Sequence, residues 1–377
     1  MSVWDDLVDQ DEAIAVLKGA VKNADTRLAH AWLFTGPPGS GRSVAARAFA
    51  AALQCENGGC GTCHACKTVL GGTHADVRLV ATELLSIGID EVRDLVQAAH
   101  RRPSTGRWRI MIVEDADRMV ERTGNVLLKS IEEPPERTIW LLCAPSPDDV
   151  LVTIRSRCRP VRLRLPSPTH VAQLLVRRDG VDPAMASFAA RAAQSHVGMA
   201  RRLARDEGAR NRRQEVLNLA FELRDVPTAV TRAADLMDVA TEEATAATQE
   251  RDAAERAALL HSLGAEAAGA LPPVVRSQIK QLEKEQKSRA TRFRRDVIDR
   301  ALLDLLSVYR DVLILQLGAD VELVNGHLGE RLQRLAQHSR PDQTLARMDA
   351  IGEARDRIAA NVNPQLAMEA MALQLLE

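Results

Sequence analysis

Aromatic side chains are scarce in this chain, at 3% of 377 residues with a single Tyr. Ala, Leu and Arg dominate instead, a composition that favours helices. Net charge is almost absent as well, at −1. Nothing global therefore points to nucleic acid or a membrane surface, and any DNA contact has to come from a local basic patch. No apolar run approaches the roughly 18–20 residues that span a bilayer, so no membrane partner is expected. The opening residues, MSVWDDLVDQDEA, lack the basic start and apolar stretch of a signal peptide, and a cytoplasmic protein is expected. In that compartment clustered cysteines serve as metal ligands or catalytic groups far more often than as disulfides.

The length implies two or three domains. Residues 1–163 alternate short apolar runs with helical patterns, as an α/β domain with a parallel sheet should. Strands are expected at Ala31–Phe34, Val77–Val80, Arg109–Val113 and Thr138–Cys143. Helices are expected near Glu12–Asn23, Ser43–Leu53, Ile89–His100 and Arg122–Ile131, before prolines 160, 166 and 168 break the pattern. Residues 164–212 read as a small helical unit interrupted at Asp182-Pro183 and Gly198. Residues 213–377 read as a second helical unit with breaks at Pro227, Pro272-Pro273, Gly318 and Pro341. Within it Val297, Ala301, Leu305, Val308, Val312 and Leu315 step by four and three, one apolar stripe that suits a bundle core. The Ala- and Glu-rich stretch 240–270 fits either a solvated helix or partial disorder.

Gly36-Pro-Pro-Gly39-Ser-Gly41-Arg42-Ser43 follows a strand and opens a helix, and it matches a phosphate-binding loop at every fixed position but one. Its glycines let backbone N–H groups face a phosphate, and the helix start adds partial positive charge. Arg42 stands where Lys belongs. A planar fork does not replace a compact ammonium, which leaves nucleotide binding without hydrolysis open. The strand at Arg109–Val113 ends in Glu114-Asp115, the reverse of the Asp-then-Glu order that carries Mg²⁺ and orients the attacking water. Each carboxylate is displaced by about an ångström, an error that catalytic geometry tolerates badly.

Cys55-x4-Cys60-x2-Cys63-x2-Cys66 offers four thiolates within twelve residues, suited to a closed tetrahedral Zn²⁺ site with no open position for catalysis. Redox-active or incidental thiols are the competing reading. Arg101, Arg102 and Arg107 form, with Arg109, a basic stretch that could meet DNA or be solvated charge at a helix end.

Leu127-Leu-Lys-Ser-Ile-Glu-Glu-Pro-Pro135, followed some twenty residues later by Ser156-Arg157-Cys158, resembles the signature of the AAA+ clamp-loader subunits of bacterial DNA polymerase III. Leu28-Ala-His-Ala31, the four-cysteine module, Gly72-Thr-His-Ala-Asp76, Gly88-Ile-Asp-Glu-Val-Arg93 and Asn361-Val-Asn-Pro364 agree in order. The resemblance implies an α/β AAA+ domain at 1–163 bearing the zinc module at 55–66, an all-α lid at 164–212 and an all-α collar at 213–377. It implies a pentameric ring with gamma/tau motor subunits and a delta subunit, acting on a sliding clamp and primer–template DNA. Motor subunits hydrolyse ATP, whereas the ring's stator typically does not. Arg42, the lack of a clear polar sensor in Cys143-Ala-Pro-Ser146, and Gly198 where a second sensor Arg should fall place this chain with the stator; the alternative is a gamma/tau-type motor. Arg157 matches the family's arginine finger, which acts in trans on the neighbour's ATP.

Overall fold

Three apolar runs become buried strands because each carries side chains to both faces of one sheet, and helices cover both faces; the fourth, Val77–Val80, lies half-exposed at the edge. The computed structural model describes residues 2–82, 84, 86–262 and 272–376. The first part of the chain runs α1 (Asp11–Lys22), α2 (Ala24–Arg27), β1 (Ala31–Thr35), α3 (Arg42–Gln54), α4 (His64–Leu70), β2 (Val77–Val80), α5 (Ile89–Ala99) and β3 (Arg109–Val113). It continues through α6 (Glu121–Glu132), β4 (Thr138–Ala144), α7 (Val152–Arg155) and β5 (Arg159–Arg162). All strand pairs are parallel, in the order β2-β3-β4-β1-β5. Every strand therefore ends on the same edge, where ligands of such sheets collect.

Alternation along the strands sorts the core into two layers. Trp32, Phe34, Ile110, Ile112 and Leu141 pack with Leu17 of α1 and Phe49 of α3. Leu33, Met111, Val113, Trp140 and Leu142 pack on the other face with Leu95 of α5 and Ile131 of α6. The Trp32 and Phe49 rings meet edge to face, with centroids 4.9 Å apart, a favoured aromatic geometry.

The four expected strands are present, and a fifth was missed. Pro160 lies inside β5, where the sequence pattern reads a break. It is tolerated because β5 pairs only with β1 and sits on the sheet edge, where a missing N–H costs no ladder bond.

Helices α8 (Pro168–Asp179), α9 (Pro183–Ala192) and α10 (Val197–Arg205) pack on one another. Side chains of Ser167 and Asp182 cap the first two, as such residues do at helix starts. Gly198 does not interrupt α10: the break lies just before it, at Gln194 and Ser195, both left-handed. These helices fall in the same compact unit as the sheet, Met1–Arg205, and the second unit is Asp206–Glu377. The expected lid, 164–212, thus spans that division.

The second unit holds α11 (Glu207–Glu222), α12 (Val226–Ser262), α13 (Pro273–Leu317), α14 (Gly329–His338), α15 (Pro341–Ala359) and α16 (Pro364–Gln374). Pro227, Pro273 and Pro341 stand at helix starts rather than as interior breaks, where the missing N–H has no helical partner to lose. Val297, Leu305, Val308 and Val312 line its core as the stripe predicts. Of the 240–270 stretch, residues 240–262 continue α12 and the remainder lies outside the described residues. No helix among the described residues is long and apolar enough to cross a membrane.

Candidate metal centre and phosphate loop

The phosphate loop joins β1 to α3 at the carboxyl edge of the sheet. Gly39 (φ +91°) and Gly41 (φ +87°) are left-handed, which a side chain would make costly. A Cβ on Gly39 would also lie 2.7 Å from the Cα of His196, just before α10. The glycines therefore serve both the turn and a close approach of the helical segment to the loop. Ser43 lies in the first turn of α3, partly exposed. Arg42 opens that helix, and its Nη1 donates back to the Gly36 carbonyl. The cation is folded onto its own loop instead of reaching outward.

The acids nearby are engaged as well. Arg47, on α3, donates Nε and Nη2 to Glu114 Oε1 at 2.9 and 2.8 Å. Asp115 faces Arg118 at 3.7 Å. Burial pushes the carboxyl of neighbouring Asp117 up. Arg47 was not singled out in the sequence. It lies five residues beyond Arg42, and only the way α3 crosses the sheet brings it to the end of β3.

The expected sensor positions are empty of suitable groups or tied elsewhere. Cys143 is fully buried, and burial raises its thiol. The Ser146 hydroxyl accepts from the Asp148 N–H at 3.3 Å as a cap. Gly198 faces the His196 ring, and Arg201 is bound to Asp179 at 3.0 Å.

Arg157 behaves differently. It follows α7, is about two-fifths exposed, and meets Glu132 at 2.6 Å. It also donates to the Thr153 carbonyl at 2.9 Å and to Ser156 Oγ at 3.2 Å.

Cys55, Cys60, Cys63 and Cys66 bring their sulfurs within 4.8 Å of one another. Cys60 and Cys63 each lie 3.7 Å from Cys55, Sγ to Sγ, and none forms a disulfide. A tetrahedral ion with Zn–S near 2.3 Å requires sulfur–sulfur edges of about 3.8 Å. The donor set thus fits Zn²⁺ in chemistry, number and spacing. Backbone N–H groups of Cys63 and Cys66 donate to Cys60 and Cys63 sulfur at 3.4 Å, orienting ligands from outside the coordination sphere. Donors from the Thr62 backbone and hydroxyl, then from Cys63, lower the Cys60 thiol to about 6. Residues at the chain start pack here: Val3 N–H donates to the Gly59 carbonyl at 3.1 Å.

The basic loop after α5 is tied down from within. Asp76, fully buried, accepts from the backbone N–H groups of Ser104, Thr105 and Gly106 at 2.7–2.8 Å. Burial alone would raise its carboxyl, but these donors hold it well below the usual carboxylate range. Arg109 turns inward to Asp76 at 3.3 Å, while Arg101, Arg102 and Arg107 stay exposed. This loop precedes β3, so it lies at the sheet edge opposite the phosphate loop and beside the end of α3, where Gln54 receives the N–H of Arg107 at 2.9 Å.

A family model described as DNA polymerase III, delta subunit, matches residues 9–167. The delta-prime subunit of Bacillus subtilis is 27% identical along 93% of this chain and 92% of its own length. The chain is thus similar, along nearly its whole length, to a DNA polymerase III delta-prime subunit. The Pseudomonas aeruginosa delta-prime subunit is 37% identical over 42% of this chain and 50% of its own length. The tau/gamma subunit of Haemophilus influenzae is 32% identical over 51% of this chain, which spans only 29% of that relative. The tau/gamma likeness is thus partial, whereas delta-prime likeness extends through the helical second unit.

Proposed function

We propose that this chain is the stator of a clamp loader, helping place a sliding clamp on primed DNA and lending Arg157 to a neighbouring ATPase subunit. The observation that carries this reading is an asymmetry between two arginine sites. Arg42 and Arg47 are consumed inside the chain by Gly36 and Glu114. Arg157 is exposed, and among the described residues its carboxylate partner is half-exposed Glu132. An exposed pair of this kind is worth about 0–1 kcal/mol, so a neighbour's γ-phosphate can take the guanidinium over at little cost. There it would donate to oxygens whose charge grows in the transition state.

In this reading residues 164–212 serve as lid and 213–377 as collar within a ring of delta and gamma/tau subunits. Zn²⁺ held by the four cysteines supplies cohesion, since a closed four-thiolate site offers no coordination position for chemistry. The exposed Arg101, Arg102 and Arg107 are candidate contacts to primer–template DNA. The alternative, a gamma/tau-type motor, draws on the intact glycine geometry of the loop. Arg42 folded on Gly36, Glu114 locked by Arg47 and the missing sensors all oppose it.

Co-expression with delta and gamma/tau subunits, followed by mass measurement and DNA-stimulated ATPase assays, tests the proposal. A complex containing this chain whose ATPase drops with Arg157→Ala supports it. Failure to join any complex, or ATP turnover by the chain alone, sinks it.

A further inference from the structure

Beyond the bundle core, α12 and α13 continue as a helix pair. The apolar core reaches Ala240 on α12 and Phe293 on α13. Further out Ala244 and Thr248 of α12 and Val275 and Ile279 of α13 are buried. Arg289 clamps them, meeting Asp252 at 2.6 Å and Glu255 at 2.5 Å. Gln286 adds a bond to the Asp252 carbonyl at 2.9 Å. These side chains account for cohesion of the pair.

Arg276, Lys280, Lys284 and Lys287 do not share in it. All four are exposed, and none makes an ion pair among the described residues. Their spacing of four, four and three places them on one face of α13, over about 16 Å of helix. Two acids lie in the same stretch. Glu285, which accepts from Gln281 at 2.7 Å, is on the far side by helical phase. Glu283 borders the stripe. On α12 the exposed charges are of both signs, Glu250 beside Arg251 and Arg256.

We propose that this face of α13 binds the phosphate backbone of duplex nucleic acid. Four cations in a row, with no exposed apolar or aromatic side chain among them, match a linear polyanion whose phosphates are contacted without reading sequence. A lipid surface is the poorer match, because membrane-lying helices insert an apolar face. Here the apolar Val275 and Ile279 are buried. The proposal does not depend on the stator reading, since it rests on the second unit alone.

Anisotropy of a fluorescein-labelled duplex, titrated with the full chain at salt between about 50 and 200 mM, tests it. With four phosphates neutralised, changing all four residues to Ala should reduce the slope of log K against log salt by about 3.6, and Lys284→Ala alone by about 0.9. The stripe should thus account for about a 100-fold loss of affinity across that range. A parallel variant lacking Arg101, Arg102 and Arg107 separates the two basic sites. The proposal is overturned if the wild-type chain does not bind duplex at the lowest salt, or if the four-residue variant keeps affinity and slope. Loss confined to the Arg101 variant, or preference for polyglutamate over duplex, overturns it equally.

Discussion

Arg157 lies 2.6 Å from Glu132, joining the two sequence motifs through which the clamp-loader likeness was first visible. Because the pair is exposed, Arg157→Ala should leave the isolated chain folded, with a stability change within about 1 kcal/mol. In the assembled complex the same change should lower DNA- and clamp-stimulated ATPase. Arginine fingers are worth about 10³–10⁵ in rate, but one of roughly three active interfaces would be affected, so uncoupled motors would lose about a third of their turnover. A far larger loss would show that the sites fire in concert. Arg157→Lys should rescue poorly, because an ammonium cannot make the forked contact with phosphate oxygens. Unchanged ATPase and clamp loading with Arg157→Ala would reduce it to a surface ion-pair residue.

The isolated chain should not turn over ATP, and Arg42→Lys should not restore activity. Freeing the loop leaves Glu114 still bound by Arg47 and Cys143 still buried at the sensor position. The combined Arg42→Lys, Arg47→Ala variant separates nucleotide binding from hydrolysis. It should gain affinity for labelled ATP in filter binding while turnover stays at background. Robust wild-type turnover abolished by Arg42→Ala would favour the motor reading.

The sheet was legible because its strands are short, mostly apolar runs between turn signals, and the metal site because its spacing is local. What escaped depended on topology. β5 contains Pro160, and only its edge position makes that residue harmless. Arg47 looks like any polar residue on α3 until the sheet order puts the end of β3 beneath it. Arg109 reads as one of a run of cations, yet it turns inward because Asp76 is buried beside it. Local pattern finds groups that act through neighbours in sequence. Groups paired across the fold remain hidden in it.

Asp76→Ala should be among the most destabilising single changes outside the apolar core. It strands the N–H groups of Ser104, Thr105 and Gly106 and leaves Arg109 without its carboxylate. Loss of one member of such a buried charged network costs about 3–5 kcal/mol. Urea unfolding should register that as a lower midpoint with an unchanged slope. The folded carboxyl is held below its ordinary value, so its contribution is present above the unfolded value near pH 4 and fades as pH falls through the lower folded one. Wild type and Asp76→Ala should therefore differ at pH 5–7 and converge only in stronger acid. A difference under about 1 kcal/mol at neutral pH would mean the loop finds other acceptors.

Zn²⁺ should accompany the purified, reduced chain at about one ion per molecule, and Cys60→Ser or Cys63→Ser should release it. Structural zinc contributes folding free energy directly, so chelation should lower the thermal midpoint of the whole chain. The chain start should loosen at the same time, since Val3 and Ser2 are bonded to Gly59 between the first two ligands. Amide exchange at residues 2–7 should thus quicken on metal removal, while the buried strand β4 keeps its protection. The pH response follows from Cys60. Its thiol is lowered to about 6, so the thiolate is available at neutral pH and is lost as pH falls through that value in the metal-free protein. Bound metal competes with the proton, which moves release to more acid conditions than 6 and makes it steeper than one proton, because four ligands protonate together. Atomic absorption after dialysis across a pH series reads this directly. A reduced, folded preparation free of zinc, with a thermal midpoint indifferent to chelator, would remove the metal from this account.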